Sequence, residues 1–79
     1  MVRAYVLIET TPEKTHEVLA GIGSNLTNCL ALGHRFMGSE VLAHLHADNL
    51  KFLHEAIIGN LPSRDGVIRV TPLQIINED

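Results

Sequence analysis

Apolar residues along this chain change their spacing in a fixed order, and that order restricts the fold more than any other feature of the sequence. Val2 to Glu9 alternates: Val2, Ala4, Val6 and Ile8 point one way, Tyr5 and Leu7 the other, between Arg3 and Glu9. Both faces are apolar in the middle of the run, which predicts a central strand covered on both sides. A helix start follows. Thr10 with Glu13 fits a capping box, and Pro12 suits a first turn, where its missing N–H costs nothing. Val18, Leu19 and Ile22 supply a buried stripe with Lys14 and Glu17 outside, and Gly21 and Gly23 end the helix. The chain then reads as extended from Leu26 to about Phe36, with Gly33 marking a bulge. Met37-Gly38-Ser39 is a turn. Glu40 to Ala47 is the next strand, with Val41, Ala43 and Leu45 on one face and Leu42, His44 and His46 on the other, so the two runs form a hairpin. Asp48 is the expected N-cap of a second helix, in which Leu50, Leu53, Ile57 and Leu61 keep helical spacing and Ala56 and Ile58 widen the stripe. Pro62-Ser63-Arg64-Asp65-Gly66 breaks it, and Val67 to Ile76 closes the chain as a strand. Pro72 has no N–H to donate, which places this strand at a sheet edge.

The order is βαββαβ. With right-handed crossovers it predicts an α+β, ferredoxin-like sandwich: a four-stranded antiparallel sheet with two helices on one face. Residues 1–79 are expected to make a single domain, with no helix-turn-helix ahead of the strand at Val2. A core this small is marginal alone, and Cys29, the only cysteine, excludes an internal disulfide. Hydrophobic residues at 46% against 19% charged lean towards surface buried between subunits. The face without helices exposes Tyr5 and Leu7 unless a second sheet covers it, so face-to-face dimerisation is expected.

Several function classes fall away. The N-terminus lacks a basic region followed by an apolar run, and no apolar stretch is long enough to span a bilayer, so a cytoplasmic protein without membrane contact is expected. Asn25-Leu26-Thr27 matches a glycosylation sequon, read as accidental in that setting. A net charge of −3 argues against direct nucleic-acid binding, and one Tyr, two Phe and no Trp leave little surface for stacking bases. No P-loop, dinucleotide fingerprint or Ser–His–Asp pattern is present. Neither an enzyme nor a cofactor is expected.

The opening Val2-Arg3-Ala4-Tyr5-Val6-Leu7-Ile8, the Asp48-Asn49-Leu50 at the second helix and the Asp65-Gly66-Val67 before the last strand carry a resemblance. Over its full length the chain resembles the effector-binding (RAM) domain of the Lrp/AsnC, or feast/famine, transcriptional regulators. These motifs are short and moderately specific. The resemblance implies a stand-alone module that pairs sheet to sheet as a homodimer and assembles further into an octamer or decamer. It also implies an amino-acid or related metabolite effector held between dimers, and a possible full-length Lrp/AsnC regulator as partner. The family's effector signature, G-x-Y-D, falls at the turn between the second and third strands. Here the turn is Met37-Gly38-Ser39-Glu40: Glu40 keeps the acidic charge, Ser39 replaces the Tyr, and the glycine comes one place later.

An α-amino acid needs donors for its carboxylate and an acceptor for its ammonium. Backbone N–H groups around Met37, Gly38 and Ser39 and the carboxylate of Glu40 supply both, with Arg35 as a bidentate carboxylate partner. An ordinary hairpin turn with a solvated Glu and Arg is the plain alternative. His44 and His46 share one strand face, and with His34 they raise a metal site. No supporting Cys or carboxylate apart from Asp48 lies nearby in sequence, so interface or pH-sensing groups are the preferred reading and no metal ligand is assigned. Cys29 reads as a small buried hydrophobe, and His16 and His54 as exposed helix residues. Two other functions share the topology: a ligand-free subunit that regulates a partner, and a small dimeric α+β-barrel enzyme. An ACT-type sensor fits less well, since Thr10-Thr11-Pro12 stands where those domains favour a glycine.

Overall fold

The computed structural model describes residues 1–23, 26 and 28–77; Asn25 and Thr27, the outer residues of the sequon, lie outside them. Strand β1 (Val2–Thr10) is central, pairing antiparallel with β3 (Glu40–Ala47) on one side and β4 (Val67–Asn77) on the other. Strand β2 (Cys29–Arg35) adds to the far side of β3, giving the order β2-β3-β1-β4. A 3-10 turn (Pro12–Lys14) leads into α1 (Thr15–Gly21), and α2 (Leu50–His54) runs on into a π-helical stretch, Glu55–Asn60. This is the α+β, ferredoxin-like βαββαβ arrangement that the spacing predicts.

Alternation decides which side chains make the core. Val2, Ala4, Val6 and Ile8 of β1 and Val41, Ala43, Leu45 and Ala47 of β3 are buried, packed with Val18 and Ile22 of α1 and with Leu53, Ala56, Ile57 and Leu61. Each large apolar side chain removed from water contributes about 1.5–3 kcal/mol. Gly33 is not a bulge: it pairs in register with Ala43. A Cβ there would lie 3.0 Å from Ile22 Cγ2 and 3.2 Å from Leu19 Cδ1, so the glycine lets α1 close onto β2. The register breaks occur instead in β4, between Tyr5 and Val6 and between Glu9 and Thr10 of its partner strand, where Leu73 and Ile68 are the extra residues. With Pro72, these breaks spoil β4 as a template for another strand, the usual treatment of an edge.

The helix ends differ from expectation. Thr10 closes β1 rather than capping α1, and Thr11, at the start of the 3-10 turn, makes no side-chain cap. Asn49, not Asp48, caps α2: its backbone is extended and its Oδ1 accepts the Phe52 N–H at 3.0 Å. The second helix widens where Leu61 N–H bonds to Ala56 O, five residues back. Leu53, Ala56, Ile57 and Leu61, spaced i, i+3, i+4 and i+8, face the sheet, and Ile58 is left 70% exposed. Leu50, at the helix start, also stays outside at 43%. Strand β2 begins at Cys29, three residues later than the sequence suggests.

Candidate functional site

Two places on this frame concentrate chemistry: the turn between β2 and β3, and the sheet face that the helices do not cover.

The turn is closed by Phe36 N–H to Glu40 O (3.0 Å) and Glu40 N–H to Met37 O (2.9 Å). Gly38 has φ 55, a conformation strained for any side chain, although nothing lies within 4 Å of where a Cβ would sit; the backbone alone calls for glycine. Two bonds tie the turn to β1. Ser39 O accepts the Thr10 N–H at 2.9 Å and the Thr10 hydroxyl at 2.7 Å. Thr10 Oγ1 also lies 2.6 Å from Thr15 Oγ1. Since Thr10 spends its one hydroxyl proton on Ser39, the Thr15 hydroxyl is the donor to Thr10. Thr10 and Thr15 are both buried, and their two hydroxyls relay the position of α1 to the turn.

A cleft of about 500 Å³ opens beside the turn, lined by Met37, Gly38, Ser39 and Glu40 together with Glu9 of β1 and Ile68 of β4. Glu9 and Glu40 are cross-strand partners, and Arg69 Nε bonds Glu9 Oε2 at 2.7 Å. Two carboxylates and one paired guanidinium favour a cationic group in this cleft. Four of the five turn residues singled out in the sequence, Met37, Gly38, Ser39 and Glu40, therefore line one cavity. Arg35 is not part of its lining. It pairs with Val41, one residue beyond Glu40, so alternation sends the Arg35 and Glu40 side chains to opposite faces of the sheet. Glu9 and Ile68 join the lining from strands distant in sequence, with Arg69 held to Glu9, and only the sheet register reveals them.

The uncovered face is built by Arg3, Tyr5, Leu7 and Glu9 of β1, by Glu40, Leu42, His44 and His46 of β3, and by the β2 residues opposite them. Leu30 and Leu32 are 76% and 61% exposed there. At its centre the His44 ring stacks on Tyr5, with centroids 4.5 Å apart and planes at 8°, and His46 tilts against it at 4.4 Å. His44 Nε2 is shielded from solvent and has no hydrogen-bond partner. Burial pushes its pKa below the ordinary histidine value, and His46 and then Arg3 push it further the same way. His34 pairs with Leu42 at the sheet edge. Among the described residues, no three of the His, Cys, Asp and Glu side chains come together as a metal-holding group. His16 and His54 are exposed on their helices.

Cys29 is buried against the core, and its Sγ lies 3.7 Å from Leu30 O. Burial pushes its pKa up, partly opposed by the His46 backbone N–H, so the thiol stays protonated and unreactive. No helix among the described residues is long and apolar enough to cross a membrane.

The fold defines the class: a ferredoxin-like α+β sandwich with an open sheet face and an acidic turn cleft, a frame that carries binding and catalytic functions alike. Comparison with protein-family models, with characterised proteins and with solved structures finds no match to the chain.

Proposed function

We propose that this chain is a self-associating, small-molecule-binding module. In this reading two copies pair face to face through the uncovered side of the sheet, and a metabolite bearing an ammonium group, an amino acid above all, occupies the Met37–Glu40 cleft. One observation carries the proposal: an apolar sheet face with Leu30 and Leu32 largely exposed around half-buried Tyr5, Leu7 and Leu42. Soluble monomers seldom leave a contiguous apolar patch of this kind uncovered. Charge complementarity favours a second copy as its occupant. One end of the face carries Glu40 beside the Glu9–Arg69 pair, and the other carries Arg3 and His46. A twofold axis lying in the interface and running across the strands lays each acidic end over the partner's basic end, at the small angle usual for stacked sheets.

In the cleft, Glu40 accepts from the ligand's ammonium while backbone N–H groups of the glycine turn receive its carboxylate. The strand order and short motifs that resemble Lrp/AsnC effector domains support the same reading. On it, the dimers assemble further, and transcriptional control passes through a full-length regulator of that kind.

Sedimentation velocity on the purified chain, beside a thermal-shift series with the common amino acids, tests both halves. A dimer or larger assembly is expected, reduced to monomer by Leu32→Arg, together with a ligand-dependent rise in melting temperature that Glu40→Gln removes. A wild-type chain that stays monomeric at high concentration sinks the self-association. An assembly that responds to no amino acid leaves a purely structural subunit instead.

A further inference from the structure

We propose that pairing through the open face is switched by the charge on His44, with the assembled state holding His44 neutral and mild acid releasing the subunits. The inference rests on the proposed face-to-face pairing and adds its regulation. The geometry carries it. Strand β3 runs from Glu40 to Ala47, so His44 lies at the middle of the strand, beside Tyr5 at the middle of β1. A twofold axis through the centre of the face therefore brings each His44 close to its counterpart in the second copy. The ring is clamped between Tyr5 on one side and His46 on the other, so it cannot turn away from the interface without losing its stacking. Its Nε2 is already out of solvent and unbonded within one chain. Covering the face removes the remaining water, and a charge there would be desolvated with no counter-charge among the described residues.

The groups that face His44 among the described residues include no carboxylate, and Arg3 and His46 oppose its protonation. From β1 these are Arg3 and the uncharged Tyr5; from β3, Leu42 and His46; from β2, its register partner Leu32, with His34 one pair further along. Across β1, strand β4 contributes Gln74 and Ile76 to this part of the face. Among the described residues the carboxylates of this face, Glu9 in its pair with Arg69 and Glu40, lie at the turn end. Glu40 is four residues from His44, about 13 Å at 3.3 Å per residue, and the twofold arrangement places the partner's acidic end over Arg3 and His46 rather than over His44. The partner's carboxylates therefore do not reach His44.

The sign follows by linkage. A base whose pKa is lower in the assembled state than in the free subunit favours assembly above the free-subunit pKa and opposes it below. Each subunit takes up one proton on release, so the dissociation constant rises by up to about 100-fold per pH unit below that value.

Sedimentation velocity of the full chain from about pH 8 to about pH 5 tests this, with Leu32→Arg as the monomer reference and far-UV circular dichroism at each pH. The expected result is dissociation on acidification with an unchanged dichroism spectrum. His44→Phe, which keeps an aromatic ring on Tyr5 and carries no charge, is expected to stay assembled down to about pH 5, whereas His46→Phe dissociates like the wild type. An assembly dispersed by Leu32→Arg yet equally tight at both pH values overturns the switch and leaves the pairing standing. So does a His44→Phe chain that dissociates with acid like the wild type, or a wild-type spectrum that collapses before the subunits part. A chain that is monomeric throughout overturns the pairing itself, and the switch with it.

Discussion

The two faces of this sheet are made by alternate residues of the same strands, yet they are opposite in character. On the helix side, β1 and β3 present Val, Ala, Ile and Leu, every one of them buried, and the two helices complete a core without a charged side chain. On the open side the same strands present Arg3, Tyr5, Leu7, Leu42, His44 and His46, none buried to the same degree. The first face has only to exclude water, so small and branched side chains suffice. The second mixes leucines with ionisable groups, the composition of a surface that is covered under some conditions and wet under others. Stability of the single chain therefore belongs to one face, and on the proposed reading response to a partner belongs to the other.

Substitution of the buried face gives the largest effect that follows from this contrast. Leu45 is fully buried between β1 and β2 in the sheet. Leu45→Ala removes its packing and leaves a cavity, and is expected to cost about 2–5 kcal/mol in urea denaturation. For a domain this small that is a large share of its total stability. A loss below about 1 kcal/mol would mean that the helix-covered face is not the main source of stability, and the contrast between the faces would break.

A smaller but still substantial loss is expected at Gly66. Its φ of 91 lies in the region that side chains avoid, and a Cβ would run into Lys14 Cβ and come within 3.3 Å of Val18 Cγ2. Its carbonyl also accepts the Thr11 N–H at 2.9 Å, fixing the entry to α1 against the start of β4. Gly66→Ala is expected to destabilise the chain by about 1–3 kcal/mol, read as a lowered melting temperature. The change acts through the buried face, so association measured well below the melting temperature should keep its strength. A variant that folds normally but no longer pairs would instead link the α1–β4 junction to the open face.

Element order, sheet class and the buried set were legible in the sequence because period-2 and helical spacing are local signals and each was consistent over several residues. Val2 to Ile8 and Val41 to Leu45 alternate without a break, and the structure buries the predicted side. The misplaced details depend on contacts distant in sequence. Thr10 looks like a helix cap until β1 is seen to continue through it, towards the Ser39 carbonyl and the Thr15 hydroxyl. Gly33 looks like a bulge because nothing local says that Ile22 needs its space. Ile58 looks like core because it is apolar and adjoins Ile57, but the stripe of Leu53, Ala56, Ile57 and Leu61 that meets the sheet leaves it outside. At the candidate site, the turn residues Met37 to Glu40 could be read as one group, being contiguous. Glu9 and Ile68 could not be added without the β3-β1-β4 register, and Arg35 falls outside the cleft for the same reason.

The smallest expected effect on folding is at Leu32, and it sharpens the contrast most. Its side chain is 61% exposed, so Leu32→Ala removes little packing from the single chain. Exposed substitutions of this kind stay within about 0.5 kcal/mol, and the unfolding midpoint of a dilute, monomeric sample should hardly move. Pairing is another matter: covering a leucine contributes about 1.5–3 kcal/mol, and a symmetric interface contains two copies of it. The dissociation constant should therefore rise by more than about tenfold. The melting temperature, which climbs with concentration when only the folded chain associates, should lose much of that climb. A variant whose concentration dependence matches the wild type would show that Leu32 faces water in both states. The open face would then be only the wet side of a two-layer fold.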